Sequence, residues 1–448
     1  MLVILVFVLG GLMHAARTFS AGGESGSGAT SLSFGYLLLT AFFVGELFKR
    51  ARLPKLTGYL ATGLISGPGV LDLVSDAALA NLQSVTGVAV ALIALTAGTE
   101  IGLRAMRPLF RSIAWITLIA VGGTTVLLGA AVFLARPLLP FMADLPTTRA
   151  LAVSLVLGVV MVAQSPAVVV ALRNELSADG PVARTVLGVV VIADLVVILL
   201  FAIVTTFAKS VFGARAGVSE TMSALAWELL GSLVAGVLVG GILSTYLRKV
   251  EGGAALFVLA VCFIVAEVGR RVHFDPLLVA LSAGIFIRNG SQVGDRLHRE
   301  IEASALPVYV VFFAVAGATI HLDVLVVVGV PAALFVLVRA LGLLAGTRAG
   351  SWLAGAPAGV QRYAGFGLLP QAGLALALAM LFAKTFPEFG AEAGALTLGV
   401  VAINEMVAPA LYRFALVRSG ETSQATATPL PSGPAEGAGV ERAQPGRD

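Results

Sequence analysis

Long apolar stretches recur along nearly the whole chain, parted by short joints that hold most of its polar and charged residues. After residue 33 they run over about 34–50, 55–72, 83–104, 111–135, 149–173, 182–208, 222–247, 253–270, 275–289, 304–321, 325–347, 361–384 and 392–414. About 20 apolar residues span a bilayer. Backbone in lipid has no water to bond to, so each stretch is predicted to be a helix that satisfies its own amides. The pattern predicts an all-α polytopic membrane protein of about 13 transmembrane helices.

The joints orient the chain. One alternate set gathers Lys49, Arg50, Arg52, Lys55, Arg104, Arg107, Arg111, Arg248 and Lys249, among others; the other set is sparser, with Arg136, Arg149, Lys209 and Lys384 as examples. Basic joints favour the cytoplasm, which places residue 34 outside and the C-terminus inside, in a cell (inner) membrane. Residues 1–33 are expected to hold either a signal peptide or an extra N-terminal span over 1–17, followed by a Gly/Ser-rich linker. Residues 419–448 are polar and rich in Pro, Gly and Ser, which predicts a disordered cytoplasmic tail.

Composition sharpens this. Of 448 residues, 58% are hydrophobic and only 12% charged, with mean hydropathy +0.98, whereas a soluble domain is nearer a quarter charged. The 51 glycines suit close helix packing in lipid. Cys262 is the single cysteine, which excludes an intrachain disulfide and a thiolate metal site; it is expected to be a small core residue. The net charge of +4 fits cytoplasmic joints rather than a nucleic-acid partner, because no basic cluster with interleaved aromatics occurs. No Walker-type loop, nucleophile elbow or HExxH motif is present, so neither ATP-driven transport nor an enzyme is indicated, and no cofactor is expected.

Against this background one residue stands out. Asp194 is the only charge between Arg184 and Lys209, in the run TVLGVVVIADLVVILLFAIVTTFA. Ten residues from Arg184 put it about 15 Å deep. A carboxylate there is costly and marks an ion or proton pathway by default. Two further spans hold a lone ionisable residue at a similar depth, Arg339 and Glu405. Their alternative reading is a buried ion pair that ties two helices together.

Two spans carry a helix-breaking interruption. One holds Gln164, Ser165 and Pro166; the other holds Gly367, Pro370, Gln371 and Gly373. Proline removes a donor and clashes with the preceding turn. At membrane depth such breaks are tolerated where they line a cavity, and they free carbonyls and amides that coordinate ions. Each break is followed, one span later, by a lone acid: Asp194 after the first and Glu405 after the second. With the stretch before each break, 111–135 and 325–347, these make two three-helix units, which are expected to be inverted repeats.

The stretch RARLPKLTGYLATGLISGPGVLDLV resembles the first core helix of monovalent cation:proton antiporters. ALIALTAGTEIGLRAM resembles the next one, and AQSPAVVVALRNELSADGPVARTVLGVVVIADLVVILLF is similar to the family's broken helix and ion-binding helix. IEASALPVYVVFFAVAGATIHLDVL and INEMVAPALYRFALVRSGE resemble later family segments. The resemblance covers about 34–418, and the nearest branch is the second cation:proton antiporter group, which includes glutathione-gated potassium efflux and spore-germination antiporters.

The resemblance implies that Asp194 binds the ion or proton, with Gln164 and Ser165 beside it, Gln371 at the second break and Arg339 as the charge-compensating base. Glu405 is a possible second acid. Family members usually carry a polar or charged residue just before the aspartate, where this chain has Ala193. A single carboxylate suggests one-for-one, electroneutral exchange. The resemblance also implies a homodimer, a core of 111–208 and 325–414, a dimer scaffold of 34–104 and 253–321, and alternating access by an elevator-like movement. The transported ions would be Na⁺ or K⁺ and H⁺. A sodium-coupled symporter of an organic anion, with Arg339 facing the anion, is the alternative. Glu100 and Glu267 are expected at helix ends beside arginines, His273 in a joint, and the four histidines (His14, His273, His298, His321) are too scattered for a metal site.

Overall fold

A computed structural model describes residues 1–19, 27–51, 53–212, 218–250, 254–272, 274–291, 293–320, 322–371, 373–386 and 388–422. The tail from 423 onward, His273 and His321 lie outside the described residues. Those described fold into helices: α1 Leu2–Phe19, α2 Ser27–Arg50, α3 Lys55–Ser66, α4 Asp76–Glu100, α5 Leu103–Met106, α6 Phe110–Ile116, α7 Gly123–Leu134, α8 Pro140–Ala143, α9 Thr147–Val162 and α10 Pro166–Glu175. There follow α11 Pro181–Val211, α12 Val218–Lys249, α13 Ala254–Val272, α14 Pro276–Gly290, α15 Gly294–Ala318, α16 Leu322–Leu353, α17 Ala358–Tyr363, α18 Gly373–Thr385 and α19 Gly390–Arg418. A π-helical turn at Thr117–Gly122 joins α6 to α7.

Local chemistry sets the helix starts. Ser75 caps α4 by accepting from Ala78 N, and Asp275 caps α14 by accepting from Leu277 N. Pro181 and Pro276 open α11 and α14, where a missing amide costs nothing. Among the described residues seven helices are long and apolar enough to cross a membrane, or eight if the bent pair Asp76–Leu82 and Val85–Thr99 forms one span. The multi-pass all-α class is therefore present. Length alone does not recover thirteen, because α3 and the apolar parts of α13, α14 and α15 are short and the second predicted break divides another stretch.

The helices sort by packing. α2, α3, α4, α12, α13, α14 and α15 pack chiefly on one another. α9, α11, α16, α18 and α19, with α6 and α7, pack chiefly among themselves, and α10 touches both α4 and α11. In the first group, glycines let backbones meet. A Cβ on Gly63 of α3 would lie 1.8 Å from the Ala314 carbonyl oxygen of α15, and one on Gly317 would lie 2.1 Å from that of Leu60.

Beyond α19 the chain returns to the start of α11. The Glu421 carboxylate accepts from Val182 N at 2.7 Å and Ala183 N at 2.8 Å, and its carbonyl accepts from Asp179 N at 3.0 Å. A helix start leaves its first amides without partners and favours a negative charge, so this carboxylate fits there. Beside it, Arg184 donates to both oxygens of Asp179, at 2.8 and 2.7 Å.

Candidate ion-binding site

The first predicted break is present. α9 ends at Val162, residues 163–165 are unwound, and α10 restarts at Pro166. Ser165 Oγ accepts from Val168 N at 3.3 Å and so caps α10. Gln164 Nε2 donates to the Val162 carbonyl at 3.2 Å, while its Oε1 is buried without a partner.

The second break adjoins the first. After α17 the chain tightens into a 3₁₀ turn over Ala364–Leu368, and residues 369–371, with Pro370 at their centre, are unwound ahead of α18. Gln371 Nε2 donates to the Met161 carbonyl of α9 at 3.1 Å, so the two interruptions are bonded directly. Asn404 of α19 donates to Gln371 Oε1 at 3.0 Å. Asn404 carried no signal of its own beside Glu405.

Arg339 of α16 lies fully buried at this junction. Its Nε donates to Met161 O at 2.8 Å and Nη2 to Ala163 O at 2.9 Å, on the first break. Its Nη1 donates to Leu369 O at 2.7 Å and Nη2 to Leu368 O at 3.4 Å, on the second. Unwound helix ends leave carbonyls without intrahelical partners, and a guanidinium offers five donors in a fixed fork. The arginine therefore goes to the backbone. Among the described residues no ion pair joins it to Glu405, which is 4% exposed on α19, so the alternative of an Arg339–Glu405 tie is not formed.

Asp194 lines a cavity of about 260 Å³ with Gln164, Ser165, Pro166 and Leu374. It is 3% exposed, and its Oδ1 has no hydrogen-bond partner. Ala193 is buried. The structure thus gathers Asp194, Gln164, Ser165 and Pro166 at one cavity, and sets Arg339 and Gln371 behind it at the junction of the breaks. Glu405, Pro370 and Arg339 are not among its lining residues.

One lining residue escaped the sequence reasoning. Asp275, the cap of α14, contributes a second carboxylate to the same cavity. An Asp-Pro pair in a joint reads as an ordinary helix start, and the only available signal was the shortness of the stretch that follows it. A second cavity of about 240 Å³ lies at the opposite end of α10, lined by Tyr59, Asn174, Glu175, Tyr309 and Arg413 among others. Glu267 pairs with Arg271 at 3.0 Å on an exposed helix end, and Cys262 is a buried free thiol.

Comparison with known proteins adds four findings. The chain is 23% identical over 280 residues to the iron transporter MagA of Paramagnetospirillum magneticum (strain ATCC 700264 / AMB-1), a match covering 62% of this chain. It spans only about 61% of that relative's length. The fold matches the sodium proton antiporter MjNhaP1 from Methanocaldococcus jannaschii at pH 8 with TM-score 0.64 at 17% identity, covering 87% of this chain and 98% of that one. An electron-microscopy map of MjNhaP1 gives TM-score 0.67 at 17% identity, covering 86% and 96%. The family model described as "sodium/hydrogen exchanger, transmembrane" matches residues 2–417. Matched over nearly its whole length, the chain belongs to the sodium/hydrogen exchanger family of multi-pass membrane transporters.

Proposed function

We propose that the protein is a secondary active antiporter that exchanges a monovalent cation, Na⁺ or K⁺, for protons. The observation that carries this reading is Asp194: a deeply buried carboxylate with an unpartnered oxygen, at a cavity beside an unwound helix. It holds either a proton or a dehydrated cation, and their competition at one group is the coupling. Gln164 and Ser165 complete the oxygen shell that a hard cation requires. Arg339 supplies the compensating positive charge from behind, through the carbonyls it holds. Because Asp194 is the one carboxylate on its helix, exchange is one-for-one and electroneutral. Glu405 is a reserve acid in the second repeat.

The two packing groups support a moving core, 111–208 and 325–414, against a scaffold, 34–104 and 253–321, that also forms a homodimer. Cavities at both ends of α10 suit alternating access between these groups. The adjoining breaks suit inverted repeats, and the loop charges suit thirteen spans with a cytoplasmic C-terminus in the inner membrane. The organic-anion symporter is disfavoured, since no basic side chain is among the described lining residues and Arg339 is engaged by four carbonyls.

Proteoliposomes test this directly. A pulse of Na⁺ or K⁺ should dissipate a preformed pH gradient, and Asp194→Asn should abolish the response. Exchange at the wild-type rate by Asp194→Asn would overturn the assignment. A parallel Fe²⁺ pulse separates the monovalent reading from the iron transport named for the relative, and a potential-sensitive dye reports the stoichiometry.

A further inference from the structure

The cavity that Asp194 lines takes its second carboxylate from the other packing group, and that carboxylate is firmly held. The Asp275 N–H donates to Ser232 Oγ at 2.9 Å, and its Oδ1 accepts from Leu277 N at 2.8 Å. Just upstream, Trp227 Nε1 donates to the Val272 carbonyl at 3.1 Å. Ser232 and Trp227 both belong to α12, which with α4 is the bed on which α14 packs. Asp194 sits on α11, which packs chiefly on α9.

Depth sets the two acids in one layer. Asp194 lies 13 residues beyond Pro181, about 20 Å along α11. The 15 residues of α14 end at Gly290, on the face that carries Arg184 and Arg288, so its capped start lies about 22 Å from that face. α11 continues well past this level to Val211, while α14 has already turned back. Asp275, at the start of α14, therefore stands level with Asp194 at the cavity they both line.

The arrangement is more than a pair of acids. Asp194 Oδ1 and Gln164 Oε1 both lack partners, in residues 3% and 1% exposed that line this cavity. No lysine, arginine or histidine is among the described lining residues. Unpartnered oxygens and two acids, with no base to neutralise them, form a donor set for a hard cation.

We propose that Asp275 is a cation ligand supplied by the scaffold, available only while the cavity faces the side on which α13 and α14 join. This rests on the alternating-access reading above, in whose orientation that side is the outer one. When the core carries Asp194 to the opposite face, Asp275 stays behind. Asp194 then fixes the charge carried per cycle, and Asp275 fixes how tightly the cation is held on one side only. The exchanger is thereby asymmetric in affinity without any change in stoichiometry.

The competing role for Asp275 is the helix cap alone. Asparagine caps a helix as well as aspartate does, so Asp275→Asn keeps the cap and removes the charge. The full-length protein is assayed in right-side-out and in everted membrane vesicles, with the KM for Na⁺ and K⁺ read at each face. Asp275→Asn should raise the outer-face KM about tenfold, as loss of one nearby charge implies, with the cytoplasmic-face KM and the maximal rate essentially unchanged. An unchanged outer-face KM overturns the proposal, and so does an equal rise at both faces. Asp275→Ser, which also caps, repeats the test should the first variant fail to accumulate. Wild-type vesicles without cation-driven proton movement would overturn the exchange reading instead. Asp275 is then judged by thermal stabilisation of purified protein with NaCl or KCl: a variant needing no more salt than wild type overturns the proposal.

Discussion

Arg339 donates through Nε to the Met161 carbonyl at 2.8 Å, and this places a charged side chain of α16 on the buried backbone end of α9. Three further bonds from the same guanidinium tie both helix breaks together. Arg339→Leu removes every one of them and leaves carbonyls in a dry interior. The cost should be roughly 3–5 kcal/mol, as for other buried charged groups stripped of a partner. Arg339→Lys keeps the charge but cannot reach both breaks with one ammonium, so it should recover less than half of the loss. Unfolding in detergent checks both variants, and a wild-type midpoint for Arg339→Lys would sink the account.

Gly63→Ala drives a methyl group into the Ala314 carbonyl of α15, where the obstacle is backbone and cannot swing aside. Overpacking of this kind costs about 1–3 kcal/mol. Gly123→Ala is the control, because nothing lies within 4 Å of a Cβ there. Thermal melts should separate the two clearly; equal melting temperatures would contradict the close approach of α3 and α15.

Asp179 lies in the joint between α10 and α11, outside the membrane. The hydrogen-bonded Arg184 guanidinium holds its carboxyl below the ordinary carboxylate range. A depressed value means that the pair stabilises the fold above the unfolded pKa of about 3.9 and loses its effect as pH falls below that. Melting curves of wild type and Asp179→Asn should therefore differ by a constant amount from pH 8 to pH 5 and converge in stronger acid. The effect is small, since Asp179 is half exposed and water screens it. A gap that widens in acid would reverse the sign of the argument.

Glu421→Gln leaves one acceptor oxygen where two now serve Val182 and Ala183, and it removes the charge at the helix start. A carboxylate in that position contributes about 1 kcal/mol. Amide hydrogen exchange reads it locally: Val182 and Ala183 should exchange about fivefold faster in the variant, with the middle of α11 unaltered. Unchanged rates at both amides would remove the bond from the account.

Much of the site was legible because it breaks a rule. A charge in an apolar run is conspicuous, so Asp194, Arg339 and Glu405 announced themselves, and Pro166 and Pro370 announced the two breaks. The partners of Arg339 were hidden, because backbone carbonyls at Met161, Ala163, Leu368 and Leu369 leave no mark on the sequence. Asp275 was hidden for a different reason. Hydropathy treats every residue at a helix start as lying at the membrane surface, and Asp275 lines the cavity of Asp194 instead. Periodicity records which residues face apart, not how far a turn descends.

Because Glu421 grips the first turn of α11, the stretch that follows α19 is fastened to the start of the helix that carries Asp194. A helix passes tension along its axis, since each turn is bonded to the next. A pull on Glu421 is thus applied to the ion-carrying helix itself, lengthwise, some 20 Å from its carboxylate. Glu421 is mechanically a handle.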